Sequence, residues 1–172
     1  MKALLSSLVE YGASVNLRLL DTAAELTQAD FTRKLSPGFG SIHLTFAHLL
    51  GAEELWFARW QGQSPSAMLA PEEVPTVAAL RERMAPLVAA RRANLASLDD
   101  ARLAEVVEWT NMRGKAFALP RWQVIMHCAN HATHHRSEIA AMLTQLGHEP
   151  DSTELLEYYL AQTGQAWKPT GR

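Results

Sequence analysis

Apolar residues Leu4, Leu5, Leu8, Val9, Val15, Leu19 and Leu20 recur at three- and four-residue steps from Lys2 to about Glu25, which predicts a long amphipathic helix. The segment TQADFTRKL, with Thr27 and Asp30 as a weak relative of a capping box, predicts a short turn before the breakers Pro37, Gly38 and Gly40. Ser41 then occupies an N-cap position ahead of IHLTFAHLLGAEELWFARW, an unbroken helical run that stops at Gln61 and Gly62. QSPSAMLAPEEVP reads as a loop, after which Thr76 caps a third helix reaching about Leu98, with Pro86 expected to kink it. From Val106 to Leu119 the helical period fails, and VVEWT, a turn over Asn111 to Gly114, and KAFAL predict a small β-hairpin. RWQVIMHCANHATHHRSEIAAMLTQL is the fourth long helix, stopped by Gly147 with Pro150 beyond. Asp151 and Glu154 resemble a capping box for a final short helix, STELLEYYLAQ, before a tail containing glycine and proline.

These elements describe an all-α fold: a four-helix bundle with a short additional C-terminal helix and a small β-hairpin before the fourth long helix, in a single domain over residues 1–172. A hydrophobic content of 48% suffices for one sizeable core. The formal net charge of −2 offers no basic surplus for a phosphate backbone, which argues against nucleic acid as a partner. Glu10, Asn16 and Arg18 interrupt the apolar start, so it fits neither a signal peptide nor a membrane span. Cys128, the single cysteine, cannot form an intrachain disulfide, and the expectation is a cytoplasmic protein without a membrane partner.

The fourth helix carries unusual chemistry in NHATHHRSEIA. His131 and His135 are four residues apart, which sets them about 40° apart around the axis and about 6 Å along it. Two imidazoles so placed suit one divalent ion. His127 and His134 fall near the same stripe, but one straight helix cannot bring all four rings to one ion. A bundle site draws its remaining ligands from a facing helix, and His48 is the candidate, in an apolar stripe with Leu44, Ala52 and Leu55. His43, rotated by about 140° from His48, is expected to face solvent. Three imidazoles leave a fourth position for water, the open arrangement of a catalytic site; zinc or nickel fits it, and iron or manganese also tolerates nitrogen ligands.

YGASVNLRLLD, SIHLTFAHLLGAEELWFARWQG and HCANHATHHRSEIAAMLTQLG together resemble the DinB superfamily over nearly the whole chain. The resemblance implies a metal-binding four-helix bundle, often a homodimer, with one histidine ligand from the second long helix and two separated by three residues from the fourth. By position these match His48, His131 and His135, with His127 outside the triad. The resemblance implies a class more than a reaction, since members of that superfamily include bacillithiol- and mycothiol-dependent S-transferases, a thiol-dependent isomerase and many proteins of unknown activity. Where they often have Gly-Gln after the His-Arg pair, this chain has Ser137 and Glu138.

Glu138, three residues after His135 on the imidazole face, is the candidate catalytic acid or base; for it, as for Glu53 and Glu54, a solvated surface position is the plainer alternative. Arg136 suits an anionic substrate or a carboxylate partner, and Cys128 is either a thiol near the metal or a small buried filler. Trp56, Trp60, Trp109 and Trp122 either wall a pocket or pack the core and a dimer contact. The expected function is therefore metal-dependent activation of a low-molecular-weight thiol for S-transfer, or of water for hydrolysis, on a small-molecule substrate. The alternative is a non-catalytic metal-binding or structural bundle.

Overall fold

The computed structural model describes residues 1–166. In chain order the elements are α1 (Lys2–Ala23), α2 (Gln28–Thr32), α3 (Ile42–Trp60), α4 (Val77–Ser97), α5 (Asp100–Ala104), β1 (Val106–Thr110), β2 (Ala116–Pro120), α6 (Arg121–Gln145) and α7 (Leu155–Gln162). Side-chain caps set several boundaries. Ser41 Oγ accepts the Leu44 N–H at 3.1 Å and Thr76 Oγ1 the Ala79 N–H at 3.2 Å, each satisfying an orphan donor of a first turn. At the end of α6, Gly147 takes φ +86° and the His148 N–H reaches back to the Leu143 carbonyl at 3.0 Å, a stop that suits glycine.

Several short elements differ from expectation. TQADFTRKL contains the helix α2 rather than a turn, because the Thr27 hydroxyl caps Asp30 N–H at 3.1 Å and Phe31 is buried beneath it. Helix α5 is too short to show a period; its signals are the Asp99 cap on the Arg102 N–H at 2.7 Å and the buried Leu103. The Asp151–Glu154 capping box does not form: α7 begins at Leu155, and the Glu154 N–H is taken by Ser152 Oγ at 3.2 Å. Helix α4 continues past Pro86 to Ser97. The hairpin forms as expected, antiparallel, with Trp109 opposite Phe117 and its turn closed by Asn111 and Gly114. The tail beyond residue 166 lies outside the described residues.

Helices α1 and α3 each pack against both α4 and α6, so consecutive long helices α1 and α3 are diagonal in the bundle, as are α4 and α6. Their connections must span those diagonals, and α2 and the hairpin occupy them. One core cluster holds Leu19, Leu20, Phe46, Leu50, Leu80, Met84, Ile139 and Leu143; a second joins Leu5, Val9, Trp60, Leu95, Trp109 and Ile125, tying the hairpin to the bundle. No helix among the described residues is long and apolar enough to cross a membrane.

A chain of polar groups from all four long helices runs through this interior. Asn16 Nδ2 donates to Glu53 Oε1 at 3.2 Å, Arg91 Nη1 donates to Glu53 Oε2 at 2.8 Å, and Arg91 Nη2 lies 3.8 Å from Cys128 Sγ. Glu53 is thus not a solvated surface acid; its neighbour Glu54, about 100° further round α3, meets Arg83, a surface residue of the same helix α4 that supplies Arg91. Arg136 is also buried and has no carboxylate partner among the described residues. Its guanidinium lies 4.9 Å from the centre of the Tyr11 ring and donates to Thr133 Oγ1 at 2.8 Å. Gly12 makes room for it, since a Cβ there would sit 2.8 Å from Arg136 Nη1.

Candidate metal centre

Packing of α3 on α6 brings His48 against His131 and His135, with ring centroids 5.4 and 4.6 Å from His48 and 4.5 Å between the α6 pair. Each ring offers one nitrogen, and the three nitrogens lie within 4.8 Å of one another. His135 Nδ1 stands 2.8 Å from Glu138 Oε2, so its N–H donates to the carboxylate and Nε2 is left as a lone-pair donor. That Nε2 is 3.3 Å from His131 Nε2. Metal–imidazole bonds of about 2.0–2.1 Å at a tetrahedral angle separate neighbouring donor atoms by about 3.3 Å, so this pair already has the spacing of two ligands. The donor set fits: the three-histidine group can hold a divalent metal ion.

The local electrostatics keep His48 and His131 in the form a cation needs. Burial, with a smaller contribution from the neighbouring His135, lowers the His48 pKa from 6.5 to about 4. His131 is lowered to about 4 as well, by burial first and then by His135 and His48. Both are neutral at pH 7, with no proton for an ion to displace. In the metal-free protein the unfolded chain takes up these protons near 6.5 and the folded chain only near 4. Between those values the unfolded state binds more protons, so stability is complete above pH 6.5 and falls as the pH drops towards 4. Urea melts of chelator-treated protein at pH 7 and pH 4.5 are expected to show this loss, and His48→Gln should flatten it.

The other histidines stand apart from the triad. His127 keeps part of its surface in solvent, packs edge-on against Trp56 at 4.3 Å and lies one turn from His131; partial desolvation of its ring, then Arg59, lowers its pKa. His134 is exposed, with Nε2 3.5 Å from Glu138 Oε1. His43 does not face solvent as expected: it is half-buried, donates from Nε2 to the Val74 carbonyl at 3.0 Å and packs on Phe31. Leu44 is 38% exposed, so the stripe around His48 is apolar only on its Ala52 and Leu55 side. His48 sits at the border of the buried face of α3. Cys128 belongs to the core beside Arg91, and burial pushes its thiol up to about 11, so the filler reading holds and the thiol is inert at neutral pH.

Among the tryptophans, Trp60 is fully buried and donates to Asn94 Oδ1 at 3.0 Å, which makes it core. Trp56 is half-buried, with Trp109 6.0 Å away on one side and His127 on the other. One residue in contact with the triad carried no sequence signal beyond its flanking glycines. Phe39 stacks on His48 with ring centroids 4.0 Å apart and meets His135 edge-on at 5.4 Å.

A comparison with protein families matches the DinB family model to residues 1–168. The chain belongs to the DinB family. The match spans essentially the whole sequence, so it includes all four long helices and each of the three converging histidines of this DinB protein. A search of curated proteins finds no match.

Proposed function

We propose that this DinB protein is a metal-dependent enzyme in which His48, His131 and His135 hold a divalent ion, zinc or nickel in preference to iron or manganese. The group activated is a low-molecular-weight thiol, for S-transfer, or water, for hydrolysis. The observation that carries this reading is the meeting of three side-chain nitrogens within 4.8 Å, from two helices, with no fourth protein ligand in the group among the described residues. A bound ion there supplies Lewis acidity, which lowers the pKa of a thiol or water beside it.

The chain's own groups supply orientation and a proton acceptor. Glu138 Oε2 fixes the tautomer and direction of His135 through the 2.8 Å hydrogen bond. Its other oxygen, Oε1, lies 3.5 Å from His134 Nε2, and the residue helps to line an open depression of about 550 Å³ along α6 together with Asn130, Thr133 and Ser137. In this reading Glu138 Oε1, the oxygen not bonded to His135, receives the proton as a nucleophile forms. His48 and His131, neutral at pH 7, remain committed to lone-pair donation.

The test is a panel of small thiols paired with aryl halide and epoxide acceptors, with ester and amide substrates for the hydrolytic branch. Metal is stripped and then restored. Turnover is expected only with metal and is expected to vanish in His131→Ala. Turnover unaffected by that substitution sinks the assignment, and a chelator-sensitive melt without turnover on any substrate favours a non-catalytic metal-binding role.

A further inference from the structure

The segment between α2 and α3 ends in Pro37-Gly38-Phe39-Gly40, and its backbone folds back on itself. The Leu35 and Ser36 N–H groups both donate to the Gly40 carbonyl, at 2.6 and 3.2 Å, while Gly40 takes φ +93°, a conformation that favours glycine. The Gly38 N–H donates to Ser36 Oγ at 3.2 Å. A Cβ placed on Gly38 would lie 3.8 Å from Glu138 Oε1, so the turn rests against the carboxylate that holds His135. The turn aims one large side chain at the histidine triad. Phe39 lies nearly parallel to His48, at an interplanar angle of 22°, and crosses His135 at 70°; its own surface remains 40% exposed.

A phenyl ring with this much exposure contributes little to the core. It covers the side of the site bounded by His48 and His135, whereas His131 is flanked by His127 and then Trp56. From the stacking of Phe39 on His48 and its edge contact with His135, we infer that Phe39 is a positioning residue and steric filter of the metal centre. It holds two ligand rings in place and confines an incoming ligand to the His131 side. This inference rests on the triad's holding a metal. Its consequence is selectivity by width: a slender aliphatic thiol passes beside Phe39, and a flat aromatic thiol competes with the phenyl ring for the face of His48. A second consequence is retention, because covering two ligand rings slows their departure from the ion.

Both consequences are measurable without turnover. Wild-type, Phe39→Ala and Phe39→Leu proteins are loaded with Co²⁺, whose visible absorption reports coordination, and titrated with 2-mercaptoethanol and with thiophenol. Phe39→Ala is expected to tighten thiophenol binding about tenfold relative to 2-mercaptoethanol, and to speed cobalt loss to a chelator by a similar factor, with Phe39→Leu between the two. Melting of the metal-free variants should stay within about 2 °C of wild type, as expected for a partly exposed side chain, which separates the effect from general destabilisation. Equal thiol selectivity and equal release rates in all three proteins overturn the inference while leaving the metal site standing. Failure of wild-type protein to take up cobalt overturns the metal reading and the Phe39 inference with it.

Discussion

Glu53→Ala is expected to lower stability by about 3–5 kcal/mol, one of the largest effects of any single substitution in this chain. The Glu53 and Arg91 side chains are only 3% and 4% exposed and meet at 2.8 Å. Among the described residues Glu53 is the one buried carboxylate, set against the buried guanidiniums of Arg91 and Arg136. Removing it strands Arg91 in a medium that cannot solvate it, and withdraws the charge that most favours the protonated form of Arg136, whose pKa burial already lowers. Asn16 also loses the acceptor for its Nδ2. For a domain of this size the melting temperature should fall by about 10 °C or more. Glu53→Gln keeps the shape without the charge and should be nearly as damaging. Replacing both partners, Glu53→Leu with Arg91→Met, should recover a large part of the loss, because no charge is then left alone in the interior. Urea melts of the four proteins decide it; a Glu53→Ala protein within 1 kcal/mol of wild type, on the scale of an exposed pair, would falsify the account.

The second large effect concerns the triad. With free zinc or nickel at about a thousand times its Kd, the folded state is expected to gain about 4 kcal/mol over the metal-free protein. His48→Ala, His131→Ala and His135→Ala should each abolish most of that gain, since each removes one of three nitrogens that lie within 4.8 Å of one another. His43→Ala and His134→Ala should keep it, because one ring is bound to the Val74 carbonyl and the other is exposed beside Glu138. Glu138→Gln is the graded case. An amide in place of the carboxylate weakens the 2.8 Å bond from His135 Nδ1, and the metal affinity should fall about 10- to 100-fold without being lost. Melting with and without metal, together with competition against a calibrated chelator, checks all of these. A wild-type melt that ignores both metals ends the metal reading.

Much of this was readable along the chain because it depends on neighbours a few residues away. Helical periods, the hydroxyl caps at Ser41 and Thr76, the glycine stop at Gly147 and the hairpin at Val106–Pro120 are local matters of backbone bonding and side-chain spacing, and the structure contains them. The four-residue spacing of His131 and His135 is likewise local, and helix geometry alone puts both on one face. Five-residue helices escaped for the converse reason: α5 is shorter than two turns, so no period exists to be read.

The tertiary structure decided whatever depends on which surfaces meet. Glu53 and Glu54 are adjacent and chemically alike and both meet α4, yet Glu53 is buried against Arg91 while Glu54 pairs with Arg83 at the partly exposed edge of that contact. Arg136 was expected to find a carboxylate, but α1 presents Tyr11 and Gly12 at that point instead. Phe39 meets the triad only because the turn before α3 folds over His48 and against Glu138. By itself, then, the sequence determined the long helices, the capped and glycine-stopped ends among their boundaries, and the chemistry each carries; the diagonal placement of α1 and α3 and the pairing of α3 with α6 decided which of those groups touch. The physical reason is range: backbone hydrogen bonds and helical spacing act over four residues, whereas burial and charge pairing act between segments that only packing brings together.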